Sequence, residues 1–185
     1  MAALRGNNFK EIMDRLDVSS INAAIDTVSA MSKDERQHAL DTVQKWQAPL
    51  YDEIISLGNT GATVEQQEVL IELLLIIQLA LISADIELEA ISRLDYEKQL
   101  SRYIGHHAFI EGLSEKDSER ATKDYVDTHS ETALLAFAIK LMTVAGFTDN
   151  NDDVSKHLLL SGVSLVNSIA MAKSQVGGSA SLAKQ

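Results

Sequence analysis

Apolar side chains recur along this chain at intervals of three and four, a rhythm that predicts helices rather than strands. Phe9, Ile12, Met13 and Leu16 form one stripe over residues 8–17. Ile21, Ala24, Ile25 and Val28 form the next, behind a serine cap at Ser19 or Ser20. Ser32 and Glu35 have capping-box spacing, in which hydroxyl and carboxylate each satisfy a free amide of the first turn. The helix they open carries Leu40, Val43 and Trp46. Pro49, the only proline, must stop or kink it, because proline has no amide hydrogen and clashes with the preceding turn.

Thr63 and Gln66 form a second capping box, and helical pattern then continues to about residue 103. A helix of that length would span about 60 Å at the usual rise. The reading therefore places a break near residues 83–85 or 93–95, and an end at Gly105-His106-His107. Further helices start near Ser114, with Ala121, Tyr125 and Val126 inward, and near Ser130 or Thr132, with Gly146 as a left-handed terminator. A last helix covers residues 152–174. The expected fold is all-α: a single-domain bundle or orthogonal array of seven to eight helices over residues 1–176, with a flexible tail at 177–185.

The most apolar stretch is 69–84, within a helix expected at about 64–83. It falls short of the roughly 20 apolar residues that a membrane span needs. Glu72 and Gln78 interrupt it, and no basic anchors flank it. The pattern predicts a central helix wrapped by others and no stable membrane span. Glu65, Glu68 and Glu72 share one face, which predicts an exposed stripe there.

Charge and composition narrow the function classes. Cysteine is absent, which removes disulfides, thiolate metal sites and cysteine nucleophiles. There are 27 acidic and 16 basic residues, for a net charge of −11. Residues 61–130 alone hold 14 acidic against 6 basic side chains. Such a surface repels phosphate backbones, so no nucleic-acid partner is expected. The first residues lack the apolar core of a signal peptide, which gives the expectation of a cytoplasmic protein.

Candidate chemistry is sparse. Asp149, Asp153 and His157 are candidate ligands for a divalent metal, since Asp153 and His157 lie four apart on one helix face. The loop echoes the alternate acidic positions of a calcium loop but has Val154 in place of the turn glycine and Leu160 in place of the bidentate glutamate. The competing expectation is that these carboxylates cap a helix. There is no nucleophile elbow and no phosphate-cradling loop, so no catalytic residue and no cofactor are assigned. Along the last helix, Leu158, Gly162, Leu165 and Ile169 lie in a row bordered by small residues. They are candidates for a two-fold homodimer interface.

The run Leu79-Ala80-Leu81-Ile82-Ser83-Ala84-Asp85, with residues 141–153 as its second copy, resembles the tellurite-resistance TerB-like helical domains. Both copies lack that family's Asp-Gly pair, and no site residue is carried over. The resemblance implies a ligand- or metal-binding helical domain. The residues themselves predict a non-catalytic interaction or adaptor protein with an unidentified protein partner. A ligand- or metal-binding domain and a membrane-active helical protein are the alternatives.

Overall fold

The computed structural model describes residues 15–148 and 152–173. Among them the chain is all-α, with eight α-helices and one short 3₁₀ turn. The helices are α1 (Val18–Ala30), α2 (Lys33–Trp46), α3 (Ala48–Ser56), α4 (Val64–Ser83), α5 (Arg93–Glu111), α6 (Glu115–Asp127), α7 (Thr132–Val144) and α8 (Asp153–Met171).

Local sequence accounts for most boundaries. Both expected capping boxes form, Ser32 with Glu35 and Thr63 with Gln66. Pro49 sits in the first turn of α3, where its missing amide costs nothing, so α2 and α3 meet at a sharp junction at Gln47. Gly146 adopts φ +81° and ends α7, as expected of a glycine terminator. Asp85 adopts φ 55° and ends α4, so the long helical pattern breaks at 84–92.

Three expectations change. Most of the helix read over residues 8–17 lies outside the described residues, and 15–17 are not helical. Asp17, rather than Ser19 or Ser20, caps α1 by accepting from the Ser20 amide at 2.8 Å. Helix α5 runs through Gly105-His106-His107 to Glu111, because a single glycine in a helix costs only about 1 kcal/mol. The expected tail at 177–185 and Asp149 lie outside the described residues.

Two helices form the interior. Helix α4 touches α1, α2, α3, α7 and α8, and Leu70, Leu73, Leu74, Leu75 and Ile77 are fully enclosed. Glu65 and Glu68 are exposed and Glu72 is half-exposed, pairing with Arg36 at 2.6 Å, in line with the predicted stripe. Helix α8 touches α4, α5 and α7, and residues 161–169 are all buried. Both helices are long and apolar enough to cross a membrane by length and composition, and both are mostly covered by the rest of the chain.

This burial changes the meaning of the small-residue row on α8. Leu158, Leu165 and Ile169 are fully enclosed within one chain, and Gly162 is buried beside Met142 of α7 and Leu70 of α4. The small residues let α8 sit close to its own neighbours, so these four side chains are not available on the outside for a two-fold contact. The serines satisfy themselves locally: Ser164 donates to Leu160 O at 2.7 Å, and Ser168 to Ser164 O at 2.8 Å.

Buried polar groups tie the remaining segments to this interior. Gln47 is fully buried, and its Oε1 accepts from the Ile91 amide at 2.8 Å, which pins the 84–92 connector. Glu131 is 1% exposed and pairs with Arg15 at 2.6 Å. Arg15 also donates to the carbonyls of Ile169, which the Ala172 amide reaches as well, and of Ala172, at the end of α8. A single arginine thus joins the start of the described chain, the start of α7 and the end of α8.

Candidate functional site

Asp153 and His157 are exposed on α8 and line a shallow depression with His107 and Glu111 of α5. Among the described residues no group of three or more His, Asp or Glu side chains is placed to hold a metal ion. Asp152 caps α8: its carboxylate accepts from the Ser155 amide and hydroxyl, both at 2.8 Å. The Ser155 bonds hold the Asp152 carboxyl below the usual carboxylate range.

A better-built site lies between α5, α6 and α8. It is a groove of about 320 Å³ whose walls are Tyr103 and His106 from α5, Tyr125 from α6, His129 just beyond it, and Asn167 and Met171 from α8. Tyr103 and His106 are three residues apart, and Tyr125 and His129 four, so each pair shares one face of its turn. The His106 ring stacks on Tyr125 with centroids 4.6 Å apart, and Tyr103 lies 5.6 Å from Tyr125.

The hydrogen bonds fix the polar floor. The Glu131 amide donates to Nδ1 of His129 at 3.0 Å, so Nδ1 carries no proton. The proton of neutral His129 is then on Nε2, which lies 3.0 Å from Oδ1 of Asn167 and donates to it. Tyr125 donates its hydroxyl to the same oxygen at 2.8 Å. With the oxygen turned inward, the Asn167 NH₂ has no partner among the described residues and offers its hydrogens to the groove. His106 Nε2 is shut off from solvent with no hydrogen-bond partner, a state that costs about 1–3 kcal/mol.

The charge of the groove is opposite in sense to that of the chain. None of its lining residues is Asp or Glu, although the chain carries 27 of them. Arg102 lines it and makes no ion pair among the described residues. Gln99, Arg102 and Met171 also border a second cavity of about 450 Å³, which includes Lys98 and Lys173 together with Glu89 and Asp95.

Burial pushes the Tyr103 hydroxyl up to about 12, with the neighbouring Tyr125 adding to the effect. Burial likewise raises Tyr125, against the Asn167 hydrogen bond that lowers it. Tyr96, buried under α8, is also pushed up to about 12, chiefly by burial. Because these folded values exceed the usual tyrosine value, the associated stability is complete below pH 10. It is lost as pH rises through about 12. Near-ultraviolet absorbance should accordingly show a late-ionising component that shrinks in Tyr96→Phe and Tyr103→Phe. Ionisation of both phenols at the free-tyrosine value would contradict their burial.

The sequence signals for this groove are Tyr103 with His106, Tyr125 with His129, and Asn167 as the one carboxamide in an apolar helix. By spacing alone His106 marks a helix end and Tyr125 a core position, so these signals do not point to a common site. Comparison with protein-family models, curated proteins and solved structures finds no match to this chain.

Proposed function

We propose that this chain is a non-catalytic binding protein whose working site is the α5–α6–α8 groove. The observation that carries this reading is an acid-free cavity, holding a guanidinium and a carboxamide NH₂ that are both unpaired among the described residues, in a chain of net charge −11. Unsatisfied donors at the wall of an aromatic-lined concavity are what a small-ligand site needs. The same geometry favours binding over catalysis. Both nitrogens of His129 are committed to hydrogen bonds, and no carboxylate lines the groove to orient a general base.

Small molecules retained by the protein from a cell metabolite extract test this reading. Wild type should enrich a compound that Met171→Trp does not, since a bulky ring at this 63% exposed position blocks the groove without disturbing the core. Equal enrichment by both proteins, or none by wild type, would overturn it.

An adaptor role is a second reading, favoured by one observation. Helix α6 has no buried residue, and Ile104 and Phe109 on the adjoining stretch of α5 are 46% and 63% exposed. Apolar exposure on this scale suits a protein contact. Cross-linking at position 109 in native lysate is the test, and an absence of discrete adducts argues against it.

A further inference from the structure

The ligand class of the groove follows from which hydrogen-bonding roles are already taken, an inference that rests on the binding reading above. Asn167 Oδ1 accepts twice, from Tyr125 and His129. The Thr128 hydroxyl, also at the groove, donates to the Asp124 carbonyl at 2.7 Å. Gln99, the Tyr103 hydroxyl and His106 Nε2 can serve either role, so charge decides: the Asn167 NH₂ and the Arg102 guanidinium are open donors, and no Asp or Glu lines the groove to offset the guanidinium. A ligand that brings acceptors and a negative charge fits them. One cation and one neutral amide suit a single negative charge spread over two oxygens. A carboxylate matches this as an acceptor-only group able to take the guanidinium fork. A dianionic phosphate would meet only one unpaired cation at this wall, against the field of a strongly acidic chain.

The apolar part of the lining is Tyr103, Tyr125, Ala170 and Met171. The Tyr103 and Tyr125 rings, the latter stacked on His106, and the exposed Met171 side chain line the groove. Such surfaces favour an offset-stacked ring and a sulfur–aromatic contact. We infer that the groove binds a small planar aromatic monocarboxylic acid, its carboxylate held by Arg102 and Asn167 and its ring against Tyr103 and Tyr125.

Calorimetric titration of the full chain with benzoate, benzamide, acetate and phenyl phosphate decides this. Benzoate should bind saturably. Benzamide and acetate should each be weaker by about tenfold or more, the former for lack of charge and the latter for lack of a ring. Arg102→Gln, at an exposed position that the fold tolerates, should lower benzoate affinity by about tenfold and leave benzamide unchanged. Arg102→Lys should recover only part of the loss, because an ammonium lacks the fork. Equal binding of benzoate and benzamide, or insensitivity to Arg102→Gln, overturns the carboxylate, and tighter binding of phenyl phosphate replaces it with a phosphate. No binding of any of the four probes also overturns the ligand class. The groove itself is judged separately by the enrichment lost in Met171→Trp.

Discussion

Replacing Arg15 with alanine is expected to destabilise the protein by about 3–5 kcal/mol, among the largest effects of any single substitution. Glu131 is 1% exposed, and the Arg15 guanidinium 2.6 Å away is its only ion-pair partner among the described residues. Without that partner a carboxylate stays buried with one remaining contact, the Leu16 amide at 3.2 Å. The carbonyls of Ile169 and Ala172 lose the guanidinium in the same step, Ile169 keeping only the Ala172 amide. Arg15 is itself 24% exposed, so water entering the gap would bring the loss toward the lower end of the range. Glu131→Gln should cost less, since the amide keeps an acceptor. A double-mutant cycle on denaturant unfolding, Arg15→Met with Glu131→Leu, separates the pair from its parts. The double variant should recover much of the loss of either single one. Strictly additive losses would show that the two side chains are not coupled.

Gly162→Leu should be the second severe change. A Cβ at this position would overlap Sδ of Met142 and come within 3.1 Å of Leu70 Cδ2, before any longer side chain is built. Met142 is fully buried, so its flexible end has little room to move. Overpacking of this kind costs about 1–3 kcal/mol and more for a full leucine. Gly162→Ala should come out milder, because alanine regains about 1 kcal/mol of helix propensity. The expected order of urea midpoints is wild type, then alanine, then leucine. A leucine variant as stable as wild type would mean that α8 is not seated against α4 and α7 at this point. A variant with intact stability and a change in oligomeric state would return the row to the surface role first read from its spacing.

The contrast at Gly162 shows where sequence reasoning reached and where it stopped. The helices themselves were legible, because caps and breakers act within four residues: Ser32 with Glu35, Thr63 with Gln66, Pro49 and Gly146 all behave as local chemistry requires. The central position of α4 was legible as well, since an unbroken apolar run has nowhere else to go. What α8 packs against was not. Its mixture of leucine, serine and glycine fits an outer interface and a crowded interior equally well, and only the tertiary arrangement decides.

The groove was illegible for a related reason. Tyr103, Tyr125 and Asn167 are separated by 22 and 42 residues and meet only when three helices converge. The orientation of the Asn167 amide depends further on a proton position set by the Glu131 backbone. No sequence spacing encodes that chain of contacts. Glu131 nevertheless links the two levels: its carboxylate anchors Arg15, and its amide fixes the tautomer of His129.

Protein-observed NMR with a panel of small acids, neutral amides and amines tests the central claim, that the α5–α6–α8 groove is the binding site. The account predicts saturable shifts concentrated in the Asn167 side-chain amide and the His106 and His129 ring signals, with the depression beside His107 and His157 unaffected. Shifts that gather at that depression, or scatter over the surface while those three side chains stay silent, would contradict it.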